Sequence, residues 1–160
     1  MRLLAGLLSF LVLVAGAAAA AAGSPVFRRA DGSQIAIPGA VLVWCDASAL
    51  HVASLGTIHQ SRWELTAARG DVRPKHSVRL LWERSSPVEL FVYDARTRNE
   101  ASSEAEGTRG RVTFGKAACT RGSAIELHID ATLGSEFGDG TPIKVTGTFV
   151  GRVSSRPTGH

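Results

Sequence analysis

AIELHIDAT, residues 124–132, decides the fold. Ile125, Leu127, Ile129 and Ala131 alternate with Glu126, His128, Asp130 and Thr132. Strict alternation fits the two-residue repeat of a strand and not the 3.6-residue repeat of a helix. One face of such a strand is dry and the other wet, as in an antiparallel sheet covered on one side.

The same signature recurs on both sides. Upstream, residues 62–67 place Trp63, Leu65 and Ala67 in one phase, and residues 77–83 place Val78, Leu80 and Trp82 in one phase. Residues 40–44 and 88–95 are apolar on both faces and read as central, buried strands. Residues 50–54 and 57–60 are shorter and weaker candidates, and 111–116 resumes a strand. Downstream, residues 142–153 keep Ile143, Val145, Phe149 and Val153 in phase. Gly147 and Gly151 share that phase, which marks a bulge or a close backbone approach. Asp31-Gly32-Ser33, Ser85-Ser86-Pro87 and Gly138-Asp139-Gly140 punctuate the strands as turns. Residues 96–110 are the most polar stretch and read as a long exposed loop. No amphipathic helix of useful length and no internal repeat is present. The reading is one all-β domain over residues 23–153, an antiparallel β-sandwich of about eight to ten short strands, with a closed β-barrel as the alternative. Residues 154–160 form a flexible polar tail.

The N-terminus reads as a secretory signal. Arg2 gives a positive start, residues 3–14 are almost unbroken apolar, and residues 15–22 are small. Charge, apolar run and small-residue exit are the three parts of a cleaved signal peptide. Ala20 and Ala22 place the cut before Gly23. The expectation is a secreted or periplasmic protein of the cell envelope. No later stretch is long enough to span a bilayer.

Export gives the two cysteines a meaning. Cys45 and Cys119 are the only pair, and in an oxidising compartment an even pair reads as a disulfide. Trp63 lies between them, as in an immunoglobulin domain, but Ala117 stands where that fold has its corner tyrosine. Immunoglobulin topology is therefore unsupported.

The formal charge is +4 and drops by one with Arg2. The basic residues are mostly arginine, scattered and interleaved with acids, so no nucleic-acid stripe is legible.

Three candidate sites follow. Glu100 and Glu104 in the 96–110 loop, with Glu136 and Asp139 in the 133–141 loop, concentrate the hard oxygen ligands that calcium takes. Arg96, Arg98, Arg109 and Arg111 are interleaved there and would neutralise the acids with no ion. Trp44 is out of phase with Val43 and Cys45, so it faces the opposite side and would present a ring to a glycan or protein partner. Glu126, His128 and Asp130 share one strand face, but alternate residues lie about 7 Å apart, too far to share a metal without help from another strand. For catalysis, the serines and histidines lack a G-x-S-x-G elbow, and no HExxH, CxxC or glycine-rich phosphate loop occurs. The functional expectation is an exported, non-enzymatic module that binds a partner or joins an envelope or extracellular assembly. A calcium- or carbohydrate-binding module is the alternative, and a small secreted hydrolase the third.

Overall fold

The structure is a computed structural model that describes residues 23–137 and 140–155. The expected signal, residues 1–22, lies outside them, as do Gly138, Asp139 and residues 156–160. The chain is all-β, and its strands form one antiparallel sheet curled strongly into a half-barrel. Among the described residues no helix is long and apolar enough to cross a membrane.

The strands are β1 (Val26–Arg28), β2 (Gln34–Ile35), β3 (Val41–Cys45), β4 (Ala49–Ser54), β5 (Arg62–Ala68), β6 (His76–Leu81), β7 (Val88–Asp94), β8 (Asn99–Ser102), β9 (Arg109–Lys116), β10 (Ala124–Phe137) and β11 (Ile143–Arg152). The hydrogen-bonded path runs β2-β1-β11-β10-β8-β7-β5-β4-β3, and β9 branches from β10 to carry β6. The opening stretch lies in β10, with Ile125, Leu127, Ile129 and Ala131 all buried. β10 is longer than its alternation predicts, and both arms of the sheet hang from it. Residues 124–133 pair with β11, and β9 lies on the other edge. Gly134 and Ser135 then pair with β8.

The two arms close on one core. Trp63 of β5 is 1% exposed and meets Phe27 of β1 and Phe149 of β11 at ring-centroid distances of 5.7 and 5.6 Å. Their outer faces therefore point away from each other. The far edge, β3, returns to β11: the Ser154 amide donates to the Val43 carbonyl at 2.7 Å, and Cys45 is bonded to Cys119. A side chain at Gly151 would strike the Val43 and Phe149 side chains, so this glycine makes room for side-chain packing between β3 and β11 rather than for a close backbone approach. The β10–β11 register runs without a bulge past Gly147, which sits at φ 119°.

Four local expectations are corrected. Residues 96–110 are not an exposed loop, because β8 lies within them and Asn99, Ala101, Ser102, Ser103, Ala105 and Thr108 are buried. Polarity misleads there because the polar groups have partners. The Asn99 side chain donates to the Thr141 carbonyl, the Leu90 amide to Ser103 Oγ, and the Gly134 amide to Thr108 Oγ1. Secondly, residues 57–60 turn rather than extend, closed by the Gln60 amide on the Thr57 carbonyl. Thirdly, Trp82 is 45% exposed, since β6 ends at Leu81 and the inward phase is lost in the turn. Lastly, β3 is a strand but not a central one; among the described residues it pairs in the ladder with β4 alone.

The switch of β10 between arms depends on Gly134. A Cβ there would stand 2.1 Å from the Glu106 carbonyl oxygen, a backbone atom rather than the end of a flexible side chain. Gly134→Ala is expected to destabilise the fold by about 2–3 kcal/mol through overpacking. Urea unfolding measures it, and a loss below about 0.5 kcal/mol would show that the 102–108 segment can move aside.

Candidate functional site

The register sets the outer face of the β3-β4-β5-β7-β8 arm residue by residue. Trp44 lies opposite His51, His51 opposite Thr66, and Thr66 opposite Glu89. The next row is Leu42, Ala53, Glu64, Phe91 and Ser102. A third is Arg62, Tyr93, Glu100 and Phe137. Alternation puts all of these on the side away from the core. Solvated strand faces favour small polar and charged residues, and this one carries Trp44, Phe91, Tyr93 and Phe137, the last 66% exposed.

The rings are held in place. Trp44 stacks on His51 with centroids 4.9 Å apart and planes 12° from parallel. The Arg62 guanidinium sits 4.7 Å from the Tyr93 ring centre and 5.7 Å from that of Phe91, within cation–π range. His51 Nε2 lies 3.0 Å from Asp46 Oδ2, and its Nδ1 lies 3.5 Å from Thr66 Oγ1. Asp46 is itself fixed: its carboxylate accepts from the Ser48 and Ala49 amides and the Ser48 hydroxyl. Those bonds, the Ser48 amide foremost, with a further one from His51, hold its carboxyl well below the usual aspartate range. Asp46 is thus a fixed anion that orients His51, which in turn supports Trp44.

Beside the rings lies an open cavity of about 200 Å³, walled by Glu64, Glu89, Glu104 and Glu136 around Thr66 and Phe91. It is below the range of about 300–1,000 Å³ usual for drug-sized ligands and suits one side chain or one sugar ring. Of the four residues expected to hold calcium, Glu104 and Glu136 line this cavity; the segments that carry them are not both loops, since residues 99–102 lie in β8 and residues 133–137 in β10. The Ser102 hydroxyl donates to Glu136 Oε1, and Glu104 follows two residues later. Glu100 lies on the same outer face but does not line the cavity. Asp139 is outside the described residues. Among the described residues no three His, Cys, Asp or Glu side chains are arranged to hold a metal ion.

The β10 candidates form a different arrangement. His128 Nε2 meets Glu126 Oε1 at 3.0 Å and Nδ1 meets Thr148 Oγ1 at 2.9 Å, so both ring nitrogens are engaged. Among the described residues no serine hydroxyl hydrogen-bonds a histidine, the contact a serine hydrolase requires. Asp46–His51–Thr66 has the order of a catalytic triad, but its hydroxyl contact is at the outer limit of a hydrogen bond.

Glu64, Glu89, Phe91 and Tyr93 are the face residues that sequence reading passes over. The signal for them is Phe91 and Tyr93, large rings in the outward phase of a strand whose inward phase is Val88, Leu90 and Val92.

Fold and face together define a class: an all-β fold, one curled antiparallel sheet, with an aromatic and acidic outer face. No protein-family model, no curated protein and no solved structure matches the chain.

Proposed function

We propose that the chain is an exported, non-enzymatic binding module and that the outer face of β3-β4-β5-β7-β8 is its ligand face. One observation carries the reading: four aromatic rings and five carboxylates share one solvent-facing sheet surface. Rings of this kind supply contact area at low entropic cost and are enriched at interface hot spots with arginine. Glu64, Glu89, Glu100, Glu104 and Glu136 outnumber Arg62, so the partner is a protein segment bearing lysine or arginine. Export rests on the character of residues 1–22, and the Cys45–Cys119 bond fits an oxidising compartment. A secreted or periplasmic location follows from the same two features.

A glycan is the second reading. It is favoured by Trp44, whose ring stacks on His51 of β4, with Thr66 and Glu64 of β5 one strand further on to bond sugar hydroxyls. One titration separates the two. Isotope-labelled protein is mixed with an oligo-lysine peptide or with a chito-oligosaccharide while amide shifts are followed. A protein partner predicts shifts at Glu64, Glu89 and Phe91 with the peptide, weakened about tenfold by Glu64→Gln/Glu89→Gln. The glycan reading predicts shifts at Trp44 and His51 with the sugar, lost in Trp44→Ala. Shifts on the opposite arm alone would sink both.

A further inference from the structure

Arginines that are scattered along the chain gather on the other arm. The outer residues of β6, β9, β10, β11 and β1 form rows by register. One row is Leu81, Arg109, Thr132, Lys144 and Arg28, and the next begins Arg79, Arg111, Asp130. With strands about 4.8 Å apart, each row across five strands spans about 19 Å. Arg28, Arg79, Arg109, Arg111 and Lys144 are exposed. Among the described residues none of the five joins an ion pair within 4.0 Å; Asp130 sits in register beside Arg111 without reaching it. Arg79 and Arg111 lie directly opposite, a like-charge pairing that costs stability in a sheet.

The row ends on apolar surface. Leu81 is 37% exposed and Trp82, in the turn after it, 45%. A soluble polyanion would use the cations and leave Leu81 and Trp82 in water. A bilayer uses both, because anionic headgroups attract the cations while the interfacial region takes tryptophan and leucine. The acidic arm lies on the far side of the core, so an anionic surface would also orient the molecule, repelling one face and attracting the other.

We infer that the outer face of β6-β9-β10-β11-β1, its five unpaired cations running into Leu81 and Trp82, docks on a bilayer surface rich in anionic lipid. This does not rest on the proposed ligand face, which it would leave pointing into solution.

Vesicle sedimentation tests it, using the exported chain with its first residue verified by intact mass so that residues 1–22 contribute nothing. The probes are phosphatidylglycerol-containing vesicles, pure phosphatidylcholine vesicles, and polyphosphate as the soluble polyanion. Binding to the anionic vesicles is expected, with little to phosphatidylcholine and loss near 1 M salt, where the screening length falls to about 3 Å. Arg109→Glu/Lys144→Glu is expected to weaken vesicle binding at least about a hundredfold, since each basic residue near such a surface contributes about fivefold. Its melting temperature should stay near that of the unaltered chain. Trp82→Ala should weaken vesicle binding about fivefold or more and leave polyphosphate binding unchanged. Equal binding to both vesicle types, polyphosphate binding without vesicle binding, or insensitivity to the double reversal would each overturn the inference.

Discussion

Removing the Cys45–Cys119 bond, by reduction or by Cys45→Ser/Cys119→Ser, is expected to lower the melting temperature by about 10–15 °C. The bond joins residues 74 apart in sequence. Constraining a loop of that length in the unfolded chain is worth about 4 kcal/mol on the chain-entropy model. For a domain of this size each kcal/mol moves the midpoint by about 3–4 °C. The native state loses something local as well. Among the described residues β3 has β4 as its only ladder partner, and its other edge is held by the disulfide, the Ser154-to-Val43 hydrogen bond and the packing allowed by Gly151. Amide exchange in Val41–Cys45 should therefore speed up more than exchange in β10, which has neighbours on both edges. A midpoint shift below about 3 °C would mean that the reduced chain already keeps these ends together.

The features legible in sequence are those governed by a short period. Alternation alone places Ile125 to Ala131, Trp63 and Leu65 in the core. The even count of two cysteines, with an N-terminus that reads as a secretory signal, pairs Cys45 with Cys119. What escapes is whatever depends on which strand lies beside which. Residues 96–110 read as loop because Asn99, Ser103 and Thr108 are polar. They are buried because β10 brings the Gly134 amide, β7 the Leu90 amide and the stretch before β11 the Thr141 carbonyl within reach. An isolated strand cannot reveal those partners, and burial without them would be costly. The charge pattern is hidden for the same reason. Arg28, Arg79, Arg109 and Lys144 are dispersed through the sequence, yet β1, β6, β9 and β11 set them on one face. The acids of β5, β7 and β8 are likewise sorted onto the other. A modest net charge of +4 is thus the difference between two faces of opposite sign, and scatter along the chain is no guide to scatter in space.

Asp94→Ala is expected to destabilise the protein by about 3–5 kcal/mol, the cost of breaking a buried ion pair by removing one partner. Asp94, at the end of β7, is 1% exposed. Its two carboxylate oxygens accept from Arg29 Nε at 2.6 Å and Nη2 at 2.8 Å. The Thr97 hydroxyl and the Arg96 amide also donate to it. Arg29 belongs to the β1–β2 hairpin, so the pair ties that hairpin to the opposite arm across 65 residues of sequence. Burial is the largest single influence on the Asp94 carboxyl and pushes its pKa up. The Arg29 and Thr97 hydrogen bonds, the Arg96 amide and the Arg29 charge together outweigh it and hold the group below the ordinary value. The sign of the pH effect follows. A depressed folded-state pKa contributes stability that is fully present above the unfolded value, about 3.9, and is lost as pH falls through the folded one. Urea midpoints should therefore be flat from pH 7 to 5 and drop below about pH 4, with a shallower drop in Asp94→Asn. Replacing both partners, Arg29→Met/Asp94→Leu, should recover much of the loss, because the penalty lies in the stranded charge rather than in the missing attraction. Asp130→Asn, at an exposed aspartate, should stay within about 0.5 kcal/mol of the unaltered protein. If Asp94→Ala is equally benign, the hairpin is held by its ladder with β11 and the packing of Phe27 and Ile35, and the acid limb of the stability curve belongs to other carboxylates.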